Sequence, residues 1–188
     1  MKSNALDKPW VYSLLIILFY GSAWIIELFV VGPLQSQISY LALNSSVASI
    51  IFLPHGIRVM AIVLCGLKAL PAIFIASLFT GFFFLKIQDS IVLSIITTIS
   101  LFLTIKSFGF EKGYTYENIT LKTIVLTAVA SSIISSFLNS VYKLFITQNI
   151  DFVNLILTHT LGDFFGAIIC FYIIGLFYFF FKKIILLT

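Results

Sequence analysis

The sequence predicts an all-α protein, a polytopic transmembrane helix bundle of about six spans. Of the 188 residues, 61% are hydrophobic and 10% are charged, and the mean hydropathy is +1.15. Soluble domains average about 45–50% apolar and about 25% charged residues, so this chain has too few polar residues to cover a surface in water. The apolar residues form runs near the length of about 20 residues that crosses a bilayer as a helix. We therefore interpret the net charge of +4 as charge beside a membrane and expect no nucleic acid as a partner.

The first two predicted spans cover residues 10–31 and 38–67. Gly32 and Pro33 end the first span, because proline has no N–H group to continue the helical ladder. This apolar run is longer than the about 7–15 residues of a signal-peptide core, so we expect it to be retained. The second span contains Pro54-His55-Gly56, which predicts either a broken helix or a short entering segment followed by a helix from Gly56.

The later predicted spans are separated by short polar segments. Pro71 fits the first turn of the third span, where a missing N–H group costs little. The hydrophilic segment 106–122 is too short for a packed core, so residues 1–188 are predicted to form a single integral membrane domain. The third to sixth spans are predicted at residues 71–85, 90–105, 123–145 and 152–181.

The distribution of lysines orients the predicted spans, because cytoplasmic loops carry an excess of Lys and Arg. With the N-terminus inside, Lys86 and Lys143 are outside. If residues 38–53 and 56–67 crossed separately, the basic segment 106–122 would face outward, which argues against that arrangement. We expect a multi-pass protein of the bacterial inner membrane with both termini cytoplasmic. The cytoplasmic side then holds Lys2, Lys8, Lys68, Lys106, Lys112, Lys122, Lys182 and Lys183.

Small residues recur at helical spacing in the last two spans. Gly162 and Gly166 form a GxxxG motif in the sixth span. Small residues let the backbones of membrane helices approach closely, so these stripes predict helix contacts. The contacts are either within the chain or with a homo-oligomer or a separate partner protein. In the fifth span the stripe consists of Ala128, Ser132, Ser136 and Ser140.

Five ionisable side chains fall inside the spans and predict a buried polar centre. An intramembrane charge costs about 2.5–3.5 kcal/mol on insertion scales, so such groups face the bundle interior and pair. Arg58 and Asp163 lie at similar predicted depth, and we expect a bidentate ion pair between them. The alternative is that Asp163 pairs with His55 and leaves Arg58 for an anionic ligand or a lipid head group. The five residues are Glu27, His55, Arg58, His159 and Asp163.

The role of this centre is left open between a helix-locking contact, a ligand-sensing pocket and proton or ion movement. Glu27 and His159 are predicted to lie in the same half of the membrane, where their side chains could contact each other. The sequence shows no Ser-His-Asp order, no paired catalytic carboxylates and no phosphate-binding glycine loop. Cys65 and Cys170 are interpreted as packing residues, and no metal-ligand spacing is present. We therefore predict that the protein is not an enzyme and has no cofactor or metal.

Three segments resemble the MASE1 family of integral membrane sensory domains. They are Phe52-Leu53-Pro54-His55-Gly56-Ile57-Arg58-Val59, Lys68-Ala69-Leu70-Pro71 and Leu161-Gly162-Asp163-Phe164-Phe165-Gly166, and the resemblance covers roughly residues 40–180. It implies a sensory input module, since MASE1 domains usually precede histidine kinase or diguanylate cyclase domains. The chain departs from the family in having about six spans instead of eight. It also has His55 and Arg58 where small or apolar residues are common, and no output domain before Thr188. The resemblance therefore implies action through a separate membrane or signalling protein.

Two other classes of protein fit the same composition. One is the solute-binding membrane subunit of an energy-coupling-factor transporter, which is similar in length and number of spans. The other is a non-catalytic assembly subunit of a larger membrane complex. In all three cases the lipid bilayer surrounds the helices. The transporter subunit would need a polar outer loop to cap its solute, and no predicted outer loop is long enough.

Overall fold

The computed structural model describes residues 9–35, 51–113, 119–146 and 151–185, with residues 176–185 described by their backbone alone. The all-α fold class predicted from the sequence is confirmed. The first helix continues through a π-helical turn, Glu27–Val31, to Gln35, so the prediction that Gly32 and Pro33 end the first span is wrong. A 3-10 turn, Gly66–Ala69, joins the second helix to the third. Across the described ranges the helices are α1 (Pro9–Ile26), α2 (Leu53–Cys65), α3 (Leu70–Phe84), α4 (Ile87–Phe108), α5 (Leu121–Ile146) and α6 (Phe152–Ile185).

Hydroxyl groups lie inside the bundle, and large apolar side chains lie on its surface. Ser94 and Ser132 are 1% and 0% exposed, whereas Phe29 and Phe145 are 76% and 86% exposed. Lipid tails accept such an apolar surface and water does not, so the distribution is typical of a membrane protein. Five described stretches are long and apolar enough to cross a membrane: Trp10–Gln35, Leu53–Phe84, Ile87–Phe108, Leu121–Ile146 and Phe152–Gly175.

One end of the bundle is built around Phe110, and we call it the Phe110 end. Phe110 is 3% exposed and shares a core cluster with Ile16 near the start of α1 and Ile105 near the end of α4. Ala69, which directly precedes α3, belongs to the same cluster. The start of α1, the start of α3 and the end of α4 therefore meet at this end.

The other ends of the same helices meet at the opposite side of the bundle. The carboxylate of Glu27, after α1, accepts a hydrogen bond from the N–H group of Leu53 at the start of α2. Gly81, near the end of α3, packs on Ser90 in the first turn of α4. α1 and α3 therefore run away from the Phe110 end, and α2 and α4 run toward it.

The reversal between α2 and α3 depends on Gly66. Its φ of +58° is a conformation that L side chains rarely adopt, and a Cβ atom there would lie 2.2 Å from the carbonyl oxygen of Glu111. The next residue, Leu67, donates its N–H group to that same oxygen at 2.9 Å. By length and composition Leu53–Phe84 counts as one candidate span, although the chain reverses within it. The prediction of about six spans counts two spans in this segment, and the five candidate stretches include it as one.

The helices begin and end within a few residues of the predicted spans 71–85, 90–105, 123–145 and 152–181. The second span differs, and its predicted part before residue 51 lies outside the described residues. Pro54 falls in the first turn of α2, where its missing N–H group is tolerated. The Pro54-His55-Gly56 motif therefore begins a helix and does not interrupt one. The helix starts three residues before Gly56, close to the start that the second alternative gives it, and most of the entering segment of that alternative lies outside the described residues.

α2 is the central helix of the bundle. It packs against α1, α5 and α6, and His55, Arg58 and Val59 are among its buried residues. Val59 forms a second core cluster with Val63, Ala128 of α5 and Ala167 of α6. The charged residues of α2 are therefore enclosed by other helices.

Candidate ligand-binding cavity

The start of α2 is held by two side chains of the extended α1 segment. Gln35 Nε2 donates to the Ile51 carbonyl at 2.7 Å, and Gln35 Oε1 accepts from the Ile51 N–H group at 3.3 Å. Glu27 Oε2 accepts from the Leu53 N–H group at 3.1 Å. Non-helical backbone at membrane depth is tolerated only where protein groups or a wet cavity satisfy it, and these side chains do so. Glu27 therefore belongs to the entry of α2, and Gln35 is a functional position that the sequence analysis missed.

Arg58 lies one turn farther along α2 and is 6% exposed. Its guanidinium donates a hydrogen bond from Nη2 to the hydroxyl of Tyr20 on α1. The guanidinium carbon also lies 5.1 Å from the ring centroid of Tyr20 and 5.5 Å from that of Phe52. Its buried Nε has no hydrogen-bond partner among the described residues. Aromatic faces attract a cation but do not neutralise it, so the charge of Arg58 lacks a counterion there.

The predicted ion pair between Arg58 and Asp163 is wrong. Asp163 Oδ2 lies 3.3 Å from Nδ1 of His55, and in the described part of the chain the ion pairs are His55–Asp163 and Lys106–Glu111. The Phe52 N–H group donates to the Gly162 carbonyl at 2.9 Å, which brings the first turn of α2 against α6. His55 in that turn therefore reaches Asp163, whereas Arg58 extends toward α1. The alternative pairing of Asp163 with His55 is the one observed.

The other ring nitrogen of His55 contacts two serine hydroxyls. Nε2 lies 3.0 Å from Ser131 Oγ and 3.3 Å from Ser132 Oγ, and both hydroxyls also reach the Ala128 carbonyl, at 3.1 and 2.7 Å. Nδ1 makes no hydrogen bond within the described structure, although Asp163 Oδ2 lies within ion-pair distance of it. Which ring nitrogen carries the proton depends on whether the serine hydroxyls donate to Nε2 or to the Ala128 carbonyl. In either case the pair has a net charge of zero or −1.

These contacts assemble a Ser–His–Asp set from positions far apart in the chain. Ser131 and Ser132 are 0% exposed, and neither lines the cavity described below. A molecule in that cavity therefore does not touch either hydroxyl, as a substrate of a serine nucleophile must.

The contact that Glu27 and His159 could have made is not observed among the described residues. His159 lies on α6 with its Nε2 at 2.9 Å from Lys143 Nζ on α5. An ammonium group only donates, so Nε2 of His159 is the acceptor. Glu27 is occupied at the start of α2, and the two groups belong to different parts of the site. Lys143, predicted to lie in the outer aqueous space, is instead partly buried in the bundle.

Four of these side chains, Arg58, Lys143, His159 and Asp163, line a cavity of about 360 Å³ at the end of the bundle opposite the Phe110 end. Trp24 and Phe84 form an apolar surface on it, with stacked rings 5.6 Å apart. The volume falls within the range of about 300–1,000 Å³ that is typical of small-molecule sites. The cavity is lined by Trp24, Phe52, Arg58, Ser77, Gly81, Phe84, Leu85, Ser90, Leu93, Ser94, Thr97, Ser135, Asn139, Lys143, His159, Gly162 and Asp163.

The hydroxyl side of the cavity is a feature that the sequence analysis missed. Ser90, Ser94 and Thr97 recur at helical spacing on α4 and are 1%, 1% and 5% exposed. A polar stripe on an otherwise apolar helix would have identified this face. Asn139 on α5 lines the same cavity, and its buried Oδ1 has no hydrogen-bond partner within the described ranges. Hydroxyl and amide side chains therefore line the cavity beside its charged groups.

The predicted small-residue stripes lie at helix contacts within the chain. Gly166 requires glycine, because a Cβ atom there would lie 2.1 Å from the Phe52 carbonyl oxygen. A partner protein does not reach these buried residues, so the intramolecular alternative is the one that fits. All six residues of the two stripes are buried: Ala128, Ser132, Ser136, Ser140, Gly162 and Gly166.

Among the described residues, no group of three or more His, Cys, Asp or Glu is placed to hold a metal ion. In comparisons with protein-family models, with curated proteins and with solved structures, the chain has no match. The inference of function therefore depends on the cavity and on the sequence motifs.

Proposed function

We propose that this chain is a membrane-embedded, MASE1-like sensory or regulatory module that binds a small molecule in its cavity and acts through a separate partner protein. The observation that supports this most directly is the cavity itself, which joins buried charged groups, hydroxyls and an aromatic surface. Intramembrane ionisable groups by default mark functional sites. Residues of the MASE1-like motifs, Phe52, Arg58, Gly162 and Asp163, line this cavity.

The orientation of the bundle supports a sensory role. Lys68, Lys106 and Lys112 lie near the Phe110 end, whereas Lys86 and Lys143 lie at the cavity end. The positive-inside rule places the more basic end in the cytoplasm. The end that holds the cavity then lies toward the outer side of the bacterial inner membrane, where an external signal arrives.

A cross-linking experiment in native membranes tests the partner. A photoreactive amino acid is placed at Phe19, which is 58% exposed on α1, and the captured protein is identified by mass spectrometry. The same label at the fully buried Tyr20 serves as the matched control. Capture of a histidine kinase or a cyclase from Phe19, or from a second exposed position on another helix, supports the proposal. Capture of an ATPase module or of a multisubunit enzyme instead, or of this chain alone, contradicts it.

The cavity also supports a second candidate, the solute-binding subunit of an energy-coupling-factor transporter. Both functions need an enclosed polar site in a small bundle, so the cavity argues for either of them over a ligand-free assembly subunit. The two differ in what happens to the ligand. Uptake of a labelled solute that requires a captured ATPase module would favour the transporter subunit.

A further inference from the structure

The charges that line the cavity do not balance. Arg58 and Lys143 both line it, and Asp163 is the carboxylate among its described lining residues. Asp163 is shared with His55, with a net charge of zero or −1 for the pair. The lining therefore keeps an excess of positive charge in a medium of low dielectric constant, where an uncompensated charge is unfavourable. An anion in the cavity would remove this cost.

Arg58 is oriented for such an anion. The Tyr20 hydroxyl accepts a hydrogen bond from one terminal nitrogen of the guanidinium. No carboxylate of the described residues lies within ion-pair distance of Arg58. Its buried Nε has no hydrogen-bond partner among the described residues, so the guanidinium keeps an unpaired donor. A guanidinium is a rigid fork of donors that matches carboxylate and phosphate oxygens. Lys143 adds a second cation to the same cavity.

The other residues that line the cavity indicate the chemical character of the rest of the ligand. Trp24 stacks on Phe84 with an interplanar angle of 9°, which leaves an apolar surface beside the charged groups. The buried Nε1 of Trp24 has no hydrogen-bond partner in the described structure. Ser94 and Thr97 face the cavity from α4 and can bind further oxygens.

We infer that the cavity binds a small organic anion, with its carboxylate or phosphate against Arg58 and Lys143 and its apolar part against Trp24 and Phe84. The inference builds on the proposed function and names the class of its ligand. The acidic group belongs either to a soluble metabolite or to a lipid head group, and the two sources share this chemistry. The test uses purified protein without any partner, so it can fail while the partner is found, and the reverse.

Tryptophan fluorescence provides the measurement. The chain has two tryptophans, Trp10 and Trp24, and Trp10 is 61% exposed on the outside of α1. The Trp10→Phe variant in a neutral detergent leaves Trp24 as the reporter of the cavity. Benzoate is titrated against benzamide, which has the same shape without the charge. We expect a saturable change in emission with benzoate at a dissociation constant at least about tenfold lower than with benzamide.

Three variants assign the binding to the two cations. Arg58→Gln and Lys143→Gln in the same background are expected to weaken benzoate binding by at least about tenfold each. Lys86→Gln removes an exposed cation at the same end of the bundle and is expected to leave it unchanged. Lys143 is only partly buried, so Lys143→Gln remains informative if Arg58→Gln does not fold.

A measurement in lipid nanodiscs distinguishes a soluble acid from a lipid head group as the source of the anion. The protein in phosphatidylcholine nanodiscs is compared with the protein in nanodiscs containing phosphatidylglycerol. A Trp24 shift with the anionic lipid that Lys143→Gln removes assigns the anion to a head group, and a response to benzoate alone assigns it to a soluble acid. Equal binding of benzoate and benzamide, equal binding by Lys143→Gln and Lys86→Gln, or no response to either anion overturns the inference.

Discussion

Each ring nitrogen of His55 has a polar neighbour on another helix. Asp163 of α6 lies 3.3 Å from Nδ1, and Ser131 of α5 lies 3.0 Å from Nε2. His55 is 0% exposed and Asp163 is 7% exposed. Losing either partner leaves a buried polar group without compensation, which is more costly than never having formed the pair.

We expect His55→Ala and Asp163→Ala each to lower the free energy of unfolding by about 3–5 kcal/mol, the usual cost of breaking a buried pair. The double variant is expected to recover part of the loss. Thermal unfolding in detergent measures all three. Lys106→Gln breaks a pair whose side chains are 47% and 49% exposed, so it is expected to cost about 0–1 kcal/mol and serves as the control.

A second double-mutant cycle joins Arg58→Ala with Asp163→Ala. Its coupling energy is expected to be smaller than that of the His55 and Asp163 cycle, because these two side chains are not within ion-pair distance. Equal coupling in both cycles, or strict additivity for His55 and Asp163, would contradict the observed pairing.

At the scale of elements, α2 is short and depends on α1 for its start. Its 13 residues extend about 20 Å, less than the about 30 Å of a hydrocarbon core. Ile51 precedes the helix and is hydrogen-bonded to Gln35. Leu53 begins the helix and donates its N–H group to Glu27. Since α2 positions both His55 and Arg58, the geometry of the cavity depends on these two side chains of α1.

Glu27→Leu removes the acceptor at the start of α2. We expect it to lower the free energy of unfolding by about 1–3 kcal/mol and to speed amide hydrogen exchange at residues 53–58, because a buried donor loses its partner. Glu27→Gln keeps an acceptor oxygen and is expected to retain most of the protection. Exchange is followed by mass spectrometry, with Glu111→Gln as a control at the opposite end. Unchanged exchange in Glu27→Leu would show that the carboxylate does not hold α2.

The sequence predicts the elements better than it predicts their contacts. Hydropathy, Pro71 and the Pro54-His55-Gly56 motif place most helices within a few residues, because these signals are local. The rotation of one helix against another is not local. Arg58 therefore meets Tyr20 across 38 positions, and no periodicity along a single helix indicates that pairing. The sequence predicts which ionisable residues are buried, because they fall inside apolar runs. It does not predict their partners, because the depth of a residue in the membrane does not specify the rotation of its helix.

At the scale of the whole molecule, the fold predicts how often the chain crosses the membrane. Length and composition count Leu53–Phe84 as one stretch, whereas the turn at Gly66 makes α2 and α3 antiparallel. Two separate crossings place the N-terminus and the end of α4 on the same side of the membrane. One crossing would place them on opposite sides, which does not agree with the meeting of the start of α1 and the end of α4 at the Phe110 end. The positive-inside rule favours the first arrangement, with the Phe110 end in the cytoplasm.

Cysteine labelling decides between the two arrangements. In a background without Cys65 and Cys170, single cysteines replace Ser3, Gln88 or Ser107, the last two being exposed near opposite ends of α4. Because α4 has 22 residues and is about 33 Å long, its ends lie on opposite sides of a bilayer. We expect a membrane-impermeant maleimide applied from the periplasmic side to label Gln88→Cys in intact cells, and Ser3→Cys and Ser107→Cys only after the membrane is opened. Labelling of Ser3→Cys and Ser107→Cys but not Gln88→Cys from outside would show that the cavity end faces the cytoplasm. Labelling of Ser107→Cys but not Ser3→Cys would show that Leu53–Phe84 crosses once, against the meeting of α1 and α4 at the Phe110 end.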